Sequence, residues 1–244
     1  LRPEQLNRIS ASDAVMRAHL FDQEMAKKMA KEKLQAQTEM PVHKDYGDAG
    51  YKWYELKHPT NDDITKQALE YEGNTMGHCV GGYCPQVLSG RTKIYSLRDA
   101  KGEPHVTIET RQDSNYPSIA AKMKMNGASD DEIAAIMNNP PQNIIQIKGK
   151  QNAAPKEEYL PYVQDFVKSG NWSHVGDLYN AKLYKPDDLE SLYSTLPRNP
   201  ALQDLDPMAR RSILNKAIRE GTFPKDKFLT REQYEDILSQ NRLP

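Results

Sequence analysis

Two spacings of hydrophobic residues divide this chain into strand and helix segments. Apolar and polar positions alternate at residues 51–56, 93–98, 104–110 and 143–148. This alternation predicts four strands, because successive side chains of a strand point to opposite faces. Residues 99–102 supply the turn chemistry that joins the second and third strands into a hairpin. The pattern therefore predicts a small, mainly antiparallel sheet.

Helical spacing occupies the other segments. Residues 1–40 combine loosely spaced apolar positions with many charges, which predicts a helical arm starting near Ser12 or Asp13. Asn61 predicts the start of a second helix, which Gly73 is expected to end. Further helices are predicted at residues 84–88, 129–137, 155–168, 186–196, 207–220 and 230–239, with Ser129, Asp187, Asp206 and Thr230 as start signals.

The order of these elements predicts an α+β fold. A small antiparallel sheet flanked by helices is expected at residues 51–168, with a helical arm at 1–40 and a helical C-terminal extension at 170–244. Residues 113–140 are interpreted as an insertion into the sheet domain. The sequence starts with Leu1, and we expect it to be part of a longer polypeptide.

The composition of the chain limits the classes of function that it can have. The 244 residues carry a net charge of -1, so any contact with nucleic acid must use a local basic patch. No apolar run approaches the ~20 residues of a membrane helix, and no secretory leader is recognisable. The two cysteines, Cys79 and Cys84, form no disulfide framework. We expect a cytoplasmic or virion-associated protein without membrane contact, in a reducing compartment.

The candidate chemistry starts at residues 76–83, where His78 and Cys79 lie among three glycines. A thiolate is favoured at the start of a helix, His105 on a nearby strand is a candidate base, and Gln146 is a candidate orienter. This chain order is the one found in papain-like thiol hydrolases. His78 directly precedes Cys79, and adjacent helical residues point about 100° apart, so the two serve one another poorly. The alternative is that Cys79 is a packed thiol.

Polar residues also recur along the predicted strands, where each strand presents one polar face. If these faces share one side of the sheet, their side chains converge on a site; the alternative is an antiparallel sheet with one face in water. The residues concerned are Arg98, His105, Thr107, Glu109, Gln146 and Lys148.

The sequence gives little support for a metal site or a nucleotide site. His78, Cys79 and Cys84 lack the spacing of zinc ligands, and His174 lies far along the chain, so neither a metal nor a cofactor is predicted. Residues 148–152 form a short basic loop that suits a phosphate or a nucleic-acid backbone, with a plain polar turn as the alternative.

These blocks resemble the PcfJ-like family, which is known from conjugative plasmids, phages and other mobile elements. The family pattern is His-Cys-Val-Gly-x-Tyr, a strand ending in Arg, Thr-x-Glu, and Gln-x-x-Gly-x-x-Asn. It is matched here by residues 78–83, Arg98, 107–109 and 146–152. The resemblance spans about residues 51–168 and implies a mobile-element setting without supplying a reaction. His105 lies outside the pattern, so the resemblance favours His78, Cys79, Arg98, Thr107, Glu109, Gln146 and Asn152 as the site.

Two functions stay open at this point. In the first, the chain is a thiol-dependent hydrolase or transferase with Cys79 as nucleophile and His78 or His105 as base. Gln146 or Asn152 would orient the base. A nucleic-acid-processing form would instead use His78 and Glu109 as acid and base, with Arg98 and Lys148 on phosphate.

In the second function the same surface binds without catalysis. The partner would be nucleic acid, or a protein within a larger assembly, during DNA transfer or packaging. In either case the predicted binding residues are Tyr83, Arg98, Thr107, Lys148 and Asn152.

Overall fold

The computed structural model describes residues 10–38, 40–170, 172–193, 202, 205–223 and 228–241. It confirms the α+β class, with one six-stranded, mostly antiparallel sheet in the order β1-β2-β3-β4-β5-β6 and helices around it. The strands are β1 Val42–Asp45, β2 Lys52–Glu55, β3 Thr92–Arg98, β4 Pro104–Gln112, β5 Gln142–Lys148 and β6 Trp172–Val175. The helices are α1 Ala11–Thr38, α2 Asp62–Met76, α3 Cys84–Leu88, α4 Tyr116–Met125, α5 Asp130–Asn138, α6 Leu160–Ser169, α7 Pro186–Tyr193, α8 Pro207–Arg219 and α9 Arg231–Gln240.

The chain forms two compact units, residues 1–105 and residues 106–244. In the first unit, α1 begins at Ala11, slightly before the predicted start. Ser10, rather than Ser12 or Asp13, accepts the hydrogen bond at its start, from the backbone N–H of Asp13 at 3.1 Å. A side-chain oxygen here satisfies a backbone donor that has no partner within the helix.

Strand β1 was not predicted, because residues 41–50 carry turn residues and no clean alternation. It pairs antiparallel with β2, and the register shifts between Val42 and Lys44. A four-residue edge strand with mostly exposed side chains has little hydrophobic pattern of its own. Its partner strand supplies the pairing that fixes it.

Helix α2 starts at Asn61 as predicted, where the side chain accepts from the backbone N–H groups of Asp63 and Ile64. The prediction that Gly73 ends the helix is wrong. The helix continues to Met76, and Gly77 takes the left-handed conformation after it, with φ 69°. Gly73 is instead a packing position, because a Cβ there would lie 2.9 Å from the backbone N of Gly81.

The apolar face of α2 packs with β2 and β3 into the core of the first unit. Helix α3 lies where the sequence predicted it, with Pro85 in its first turn. The buried members of this core include Met40, Tyr54, Leu56, Ala68, Leu69, Tyr71, Val80, Val87 and Ile94.

In the second unit, β4 and β5 pair antiparallel, with Thr107 opposite Lys148 and Glu109 opposite Gln146. The register shifts directly after Glu109, as at a β-bulge. Strand β6 pairs parallel to β5 and was not predicted. It has only four residues, and it lies in the range 170–244 that was predicted to be a helical extension.

The helices of the second unit mostly follow their predicted start signals. Ser129 forms the capping box of α5, Asp206 accepts from the backbone N–H of Ala209 at the start of α8, and Thr230 forms a capping box at α9. Helix α4 was not predicted. Helix α6 begins at Leu160, after a 3-10 turn at Glu157–Tyr159, rather than at residue 155. The end predicted for α7, residues 194–196, lies outside the described residues.

Helices α7, α8 and α9 share a hydrophobic core of their own. Among the residues the structure describes, no helix is both long and apolar enough to cross a bilayer. The buried members of this core include Leu189, Leu202, Leu214, Ala217, Leu229, Tyr234, Ile237 and Leu238.

Candidate functional site

The His-Cys segment forms a tight turn that packs on α2. His78 is extended, with φ -113° and ψ 160°, and Cys79–Gly82 form a single 3-10 turn. A Cβ on Gly73 would lie 2.9 Å from the backbone N of Gly81, whereas a Cβ on Gly81 would make only ordinary contacts, at 3.6 Å or more. The close approach of the turn to α2 therefore requires a glycine at position 73, while Gly77 is favoured by its left-handed backbone.

Cys79 lies on the surface, and its Sγ is 3.4 Å from the Tyr83 hydroxyl. The helix it opens has four residues, so the dipole that the prediction invoked is small. Cys84 is half-buried, and burial raises the pKa of its thiol. The two thiols therefore differ in exposure, and a nucleophilic role for Cys79 stays a prediction.

Arg98, at the end of β3, is buried against a carboxylate from α2. Its Nη2 donates to Glu72 Oε2 at 3.0 Å, and both side chains are fully buried. Ser96 Oγ donates to the same oxygen at 2.7 Å and accepts from Arg98 Nε at 3.0 Å. Arg98 Nη1 has no hydrogen-bond acceptor among the described residues, and the guanidinium lies 5.3 Å from the centre of the Tyr71 ring. This network ties α2 to β3, while substrate binding by Arg98 stays a prediction.

His105 is the second residue of β4, directly after the turn that joins β3 and β4. Its Nε2 lies 3.3 Å from Asp99 Oδ2, and its ring meets Tyr51 edge-on at 5.9 Å between centroids. Asp99 also accepts from the backbone N–H groups of Lys101 and Glu103 and so organises the turn. The observed partner of His105 is thus a turn carboxylate, and its pairing with Cys79 stays a prediction.

Glu109 and Gln146 meet across β4 and β5 on the polar face that alternation predicted. Gln146 Nε2 donates to Glu109 Oε2 at 3.1 Å, and Arg111 holds the other oxygen through Nε and Nη2, each at 2.7 Å. Glu109 is almost fully buried, whereas the Arg111 side chain is half exposed. An amide and a guanidinium that hold one carboxylate fix its orientation, which suits either an oriented acid–base residue or a structural ion pair.

Lys148 and the loop after it complete the motif at residues 146–152. Lys148 Nζ pairs with Asp177 Oδ2 at 2.9 Å. Gly149 donates to the carbonyl of Ala153 at 2.7 Å, and a Cβ on Gly149 would lie 2.9 Å from the carbonyl oxygen of Ala154. This closure leaves the side chains of residues 150–152 exposed. Gln151 and Asn152 both have left-handed backbones, with φ 56° and 60°.

The predicted site residues divide between the two units. Each unit brings some of them together: Cys79 with Tyr83 in the first, Glu109 with Gln146 in the second. Convergence of the whole set stays a prediction, as do the roles assigned to His78 and Thr107. The first unit holds His78, Cys79, Tyr83, Arg98 and His105, and the second holds Thr107, Glu109, Gln146, Lys148 and Asn152.

A further candidate surface, on α8, was missed at the sequence level. The helix has four basic residues and no carboxylate between Pro207 and Arg219. Arg210 is buried, while Arg211, Asn215 and Arg219 lie on an exposed face. The cluster of basic residues at 210–219 is visible in the sequence and could have indicated this face. The net charge of -1 for the whole chain gives no sign of it. An open groove of about 970 Å³ follows the face and is lined by Pro207, Met208, Arg211, Ser212, Asn215, Ile218 and Arg219.

No described group of three or more His, Cys, Asp or Glu side chains is arranged to hold a metal ion. The architecture is that of an α+β protein whose motif residues lie on a small sheet and its connecting turns. Residues 11–126 match the family described as PcfJ-like protein, so the chain carries a PcfJ-like domain over these residues. Comparisons with curated proteins and with solved structures gave no match.

The match confirms the family indicated by the motifs, with different limits. It begins at the first residue of α1, whereas the motifs placed the resemblance at about residues 51–168. The N-terminal helix is therefore inside the matched range. The block at residues 146–152 lies beyond its end.

Proposed function

We propose that this chain is a nucleic-acid-binding module of a phage or other mobile element, acting in the cytoplasm or in a virion. The observation that carries the proposal is the exposed face of α8. Its basic side chains have no carboxylate among them within the helix, and nucleic-acid backbones attract such local patches whatever the global charge.

The geometry of α8 suits a duplex groove. Arg211 and Arg219 are eight residues apart on one face, which is ~12 Å along a helix, with Asn215 between them. The major groove of B-DNA is about 12 Å wide and admits a helix, whose amide and guanidinium groups can reach base edges and phosphates. Arg211 pairs with Asp187 at 3.3 Å, but both side chains are well exposed, so the pair is weak and exchanges readily for a phosphate.

The loop at residues 150–152 supports the same function. Gly149 and Ala153 close it, so Lys150, Gln151 and Asn152 are displayed in a defined geometry. A cation and two amides provide hydrogen-bond donors for phosphate oxygens without a sequence requirement. The loop would add a second, smaller contact to that made by α8.

Anisotropy titrations with labelled duplex and single-stranded oligonucleotides over a range of salt concentrations test the proposal. We expect affinity that falls steeply with salt. Substituting Arg211→Ala with Arg219→Ala should weaken binding and reduce the log–log salt slope by about 2. Lys122→Ala with Lys124→Ala, a charge-matched change on α4, is the control and should leave the slope unchanged. Absence of binding at low salt, or equal losses in both variants, would contradict the proposal.

A thiol-dependent activity is the second candidate, favoured by the surface position of Cys79. His78 or His105 would serve as base. Labelling at neutral pH tests it: fast reaction of Cys79 beyond what its exposure explains would support a nucleophile. Cys79→Ser should then abolish turnover while the fold is retained. A labelling rate of Cys79 equal to that of a free thiol would contradict the thiol-dependent activity.

A further inference from the structure

The first two-thirds of α1 bury no side chain. Every side chain from residue 10 to residue 30 is exposed, including Val15, Phe21, Met25 and Met29. Helices in proteins draw most of their stability from packing an apolar face. Since α1 lies inside the PcfJ-like match, it belongs to the domain and needs a partner surface.

The exposed apolar residues form a stripe. Val15, Ala18, Phe21, Met25 and Met29 follow one another at spacings of three and four, which places them within ~120° of the helix circumference. Ala11 and Ala14 extend the stripe toward the N-terminus, and Asp22 at its edge is the one charged residue within it. Such a stripe is wide enough to form a helix–helix seam. Met16 and Leu20 lie on the opposite face.

The distribution of charge along α1 indicates which partner would cover this stripe. The first half of the helix has three carboxylates against one guanidinium: Asp13, Asp22 and Glu24 against Arg17. The second half has four lysines against one carboxylate: Lys27, Lys28, Lys31 and Lys33 against Glu32. The helix is therefore complementary to itself when two copies run in opposite directions.

We infer that α1 pairs antiparallel with α1 of a second copy of this chain, through the part of the stripe from Phe21 to Met29. A two-fold axis near the middle of the helix sets each acidic half against the partner's basic half. A parallel pair would instead bring like charges together. An anionic membrane is a poorer fit, because it would repel the carboxylates of the first half.

Light scattering coupled to gel filtration, on the full chain over a range of concentrations, tests the pairing. We expect twice the 27.8 kDa mass of one chain at high concentration. Met25→Glu should shift the dissociation constant upward by ~100-fold or more, because it places two carboxylates in the seam. Leu20→Glu, an equally drastic change on the opposite face, is the matched control and should leave the dimer intact. Circular dichroism of the variants at equal concentration verifies that the domain is folded.

Cross-linking gives the orientation, in a background with Cys79→Ser and Cys84→Ser. Under oxidation, Met25→Cys near the two-fold axis should form a disulfide with its own copy, whereas Ala14→Cys should not. Linkage at both positions would indicate a parallel pair and overturn the antiparallel assignment. A monomer at all concentrations, or a dimer that Met25→Glu leaves unchanged, would overturn the self-pairing. A vesicle of anionic lipid that binds the wild-type chain but not Met25→Glu would assign the stripe to a membrane.

Discussion

The two units each contain a carboxylate held by an arginine, and the two groups differ in their access to water. Glu72 and Arg98 are fully buried in the first unit, with Ser96 as a third member. Glu109 is buried in the second unit, but its partner Arg111 has about half of its side chain, 52%, in solvent. Both groups involve strands that carry motif residues, so residue type alone does not distinguish them.

The difference shows how burial decides the energetic role of a charge. When one partner of a fully buried pair is removed, the other is stranded in a medium that cannot solvate it. Loss of a partner at the surface is compensated by water, and exposed pairs contribute little. The first group should therefore act as a structural tie, while the second can change its contacts at moderate cost. This makes Glu109 the better placed of the two carboxylates for binding or proton transfer.

The largest expected effect is that of Arg98→Met. It leaves the Glu72 carboxylate buried without its cation, and we expect a loss of ~3–5 kcal/mol in the free energy of unfolding, measured by urea denaturation. The double variant Glu72→Met with Arg98→Met removes both charges and should recover much of this loss. A single variant that unfolds within ~1 kcal/mol of the wild type would show that the pair is not a structural tie.

The second prediction uses Tyr71, whose ring lies against Arg98. Burial raises the pKa of Tyr71 to about 12, and the neighbouring carboxylate of Glu103 acts in the same direction. The unfolded chain loses this proton near pH 10, so the contribution to stability is complete below pH 10 and falls as the pH rises toward 12. Its limit is ~3 kcal/mol. The pH slope should be smaller in Tyr71→Phe, as followed by urea unfolding between pH 9 and 11. Equal slopes in the two proteins would contradict the assignment.

The third prediction concerns Glu109→Gln, which keeps the shape of the side chain and removes its charge. Arg111 can turn to solvent, so we expect a loss of ~1–2 kcal/mol in the free energy of unfolding, from weakened hydrogen bonds to Arg111 and Gln146. Glu72→Gln is the matched variant in the buried group and should cost more. If the two substitutions have the same effect, burial is not what separates the groups.

The smallest effect is expected for Arg111→Gln, at ~1 kcal/mol, because the amide nitrogen of glutamine lies where Arg111 Nε lies and can still donate to the buried Glu109 carboxylate. Because the guanidinium is half exposed, salt screens its charge, and the difference in stability between the wild type and Arg111→Gln should be smaller at high salt than at low salt. Thermal unfolding at two ionic strengths measures the loss of stability and its dependence on salt. A loss as large as that of Arg98→Met would mean that Arg111 is enclosed in the working protein, for example by a partner.

Start signals of helices were the most predictable features. Asn61, Ser129, Asp206 and Thr230 all accept the expected backbone hydrogen bonds. Each depends on groups within three residues of the cap, so the local sequence contains the whole interaction. The shared face of Glu109 and Gln146 was predictable for a related reason, because strand alternation fixes which side chains lie together.

Features that depend on distant segments were not predicted. Strands β1 and β6 have four residues each and take their pairing from β2 and β5. Gly73 was interpreted as a helix end, since the approach of Gly81 that requires a glycine there is invisible within α2. The partner of Arg98 was missed in the same way, because Glu72 lies on a helix 26 positions earlier and no spacing rule connects them.

The sequence by itself determined the fold class, the family motifs, the helix caps and the alternation of polar faces, because those are set by contacts between near neighbours along the chain. Only the tertiary structure decided which polar residues are buried ties and which stay at the surface. Arg98 became a fully buried contact, while Cys79, Arg211 and Arg219 remained exposed to solvent. The reason is physical: solvent access depends on which distant segments cover a side chain, and charge energetics follow from that access.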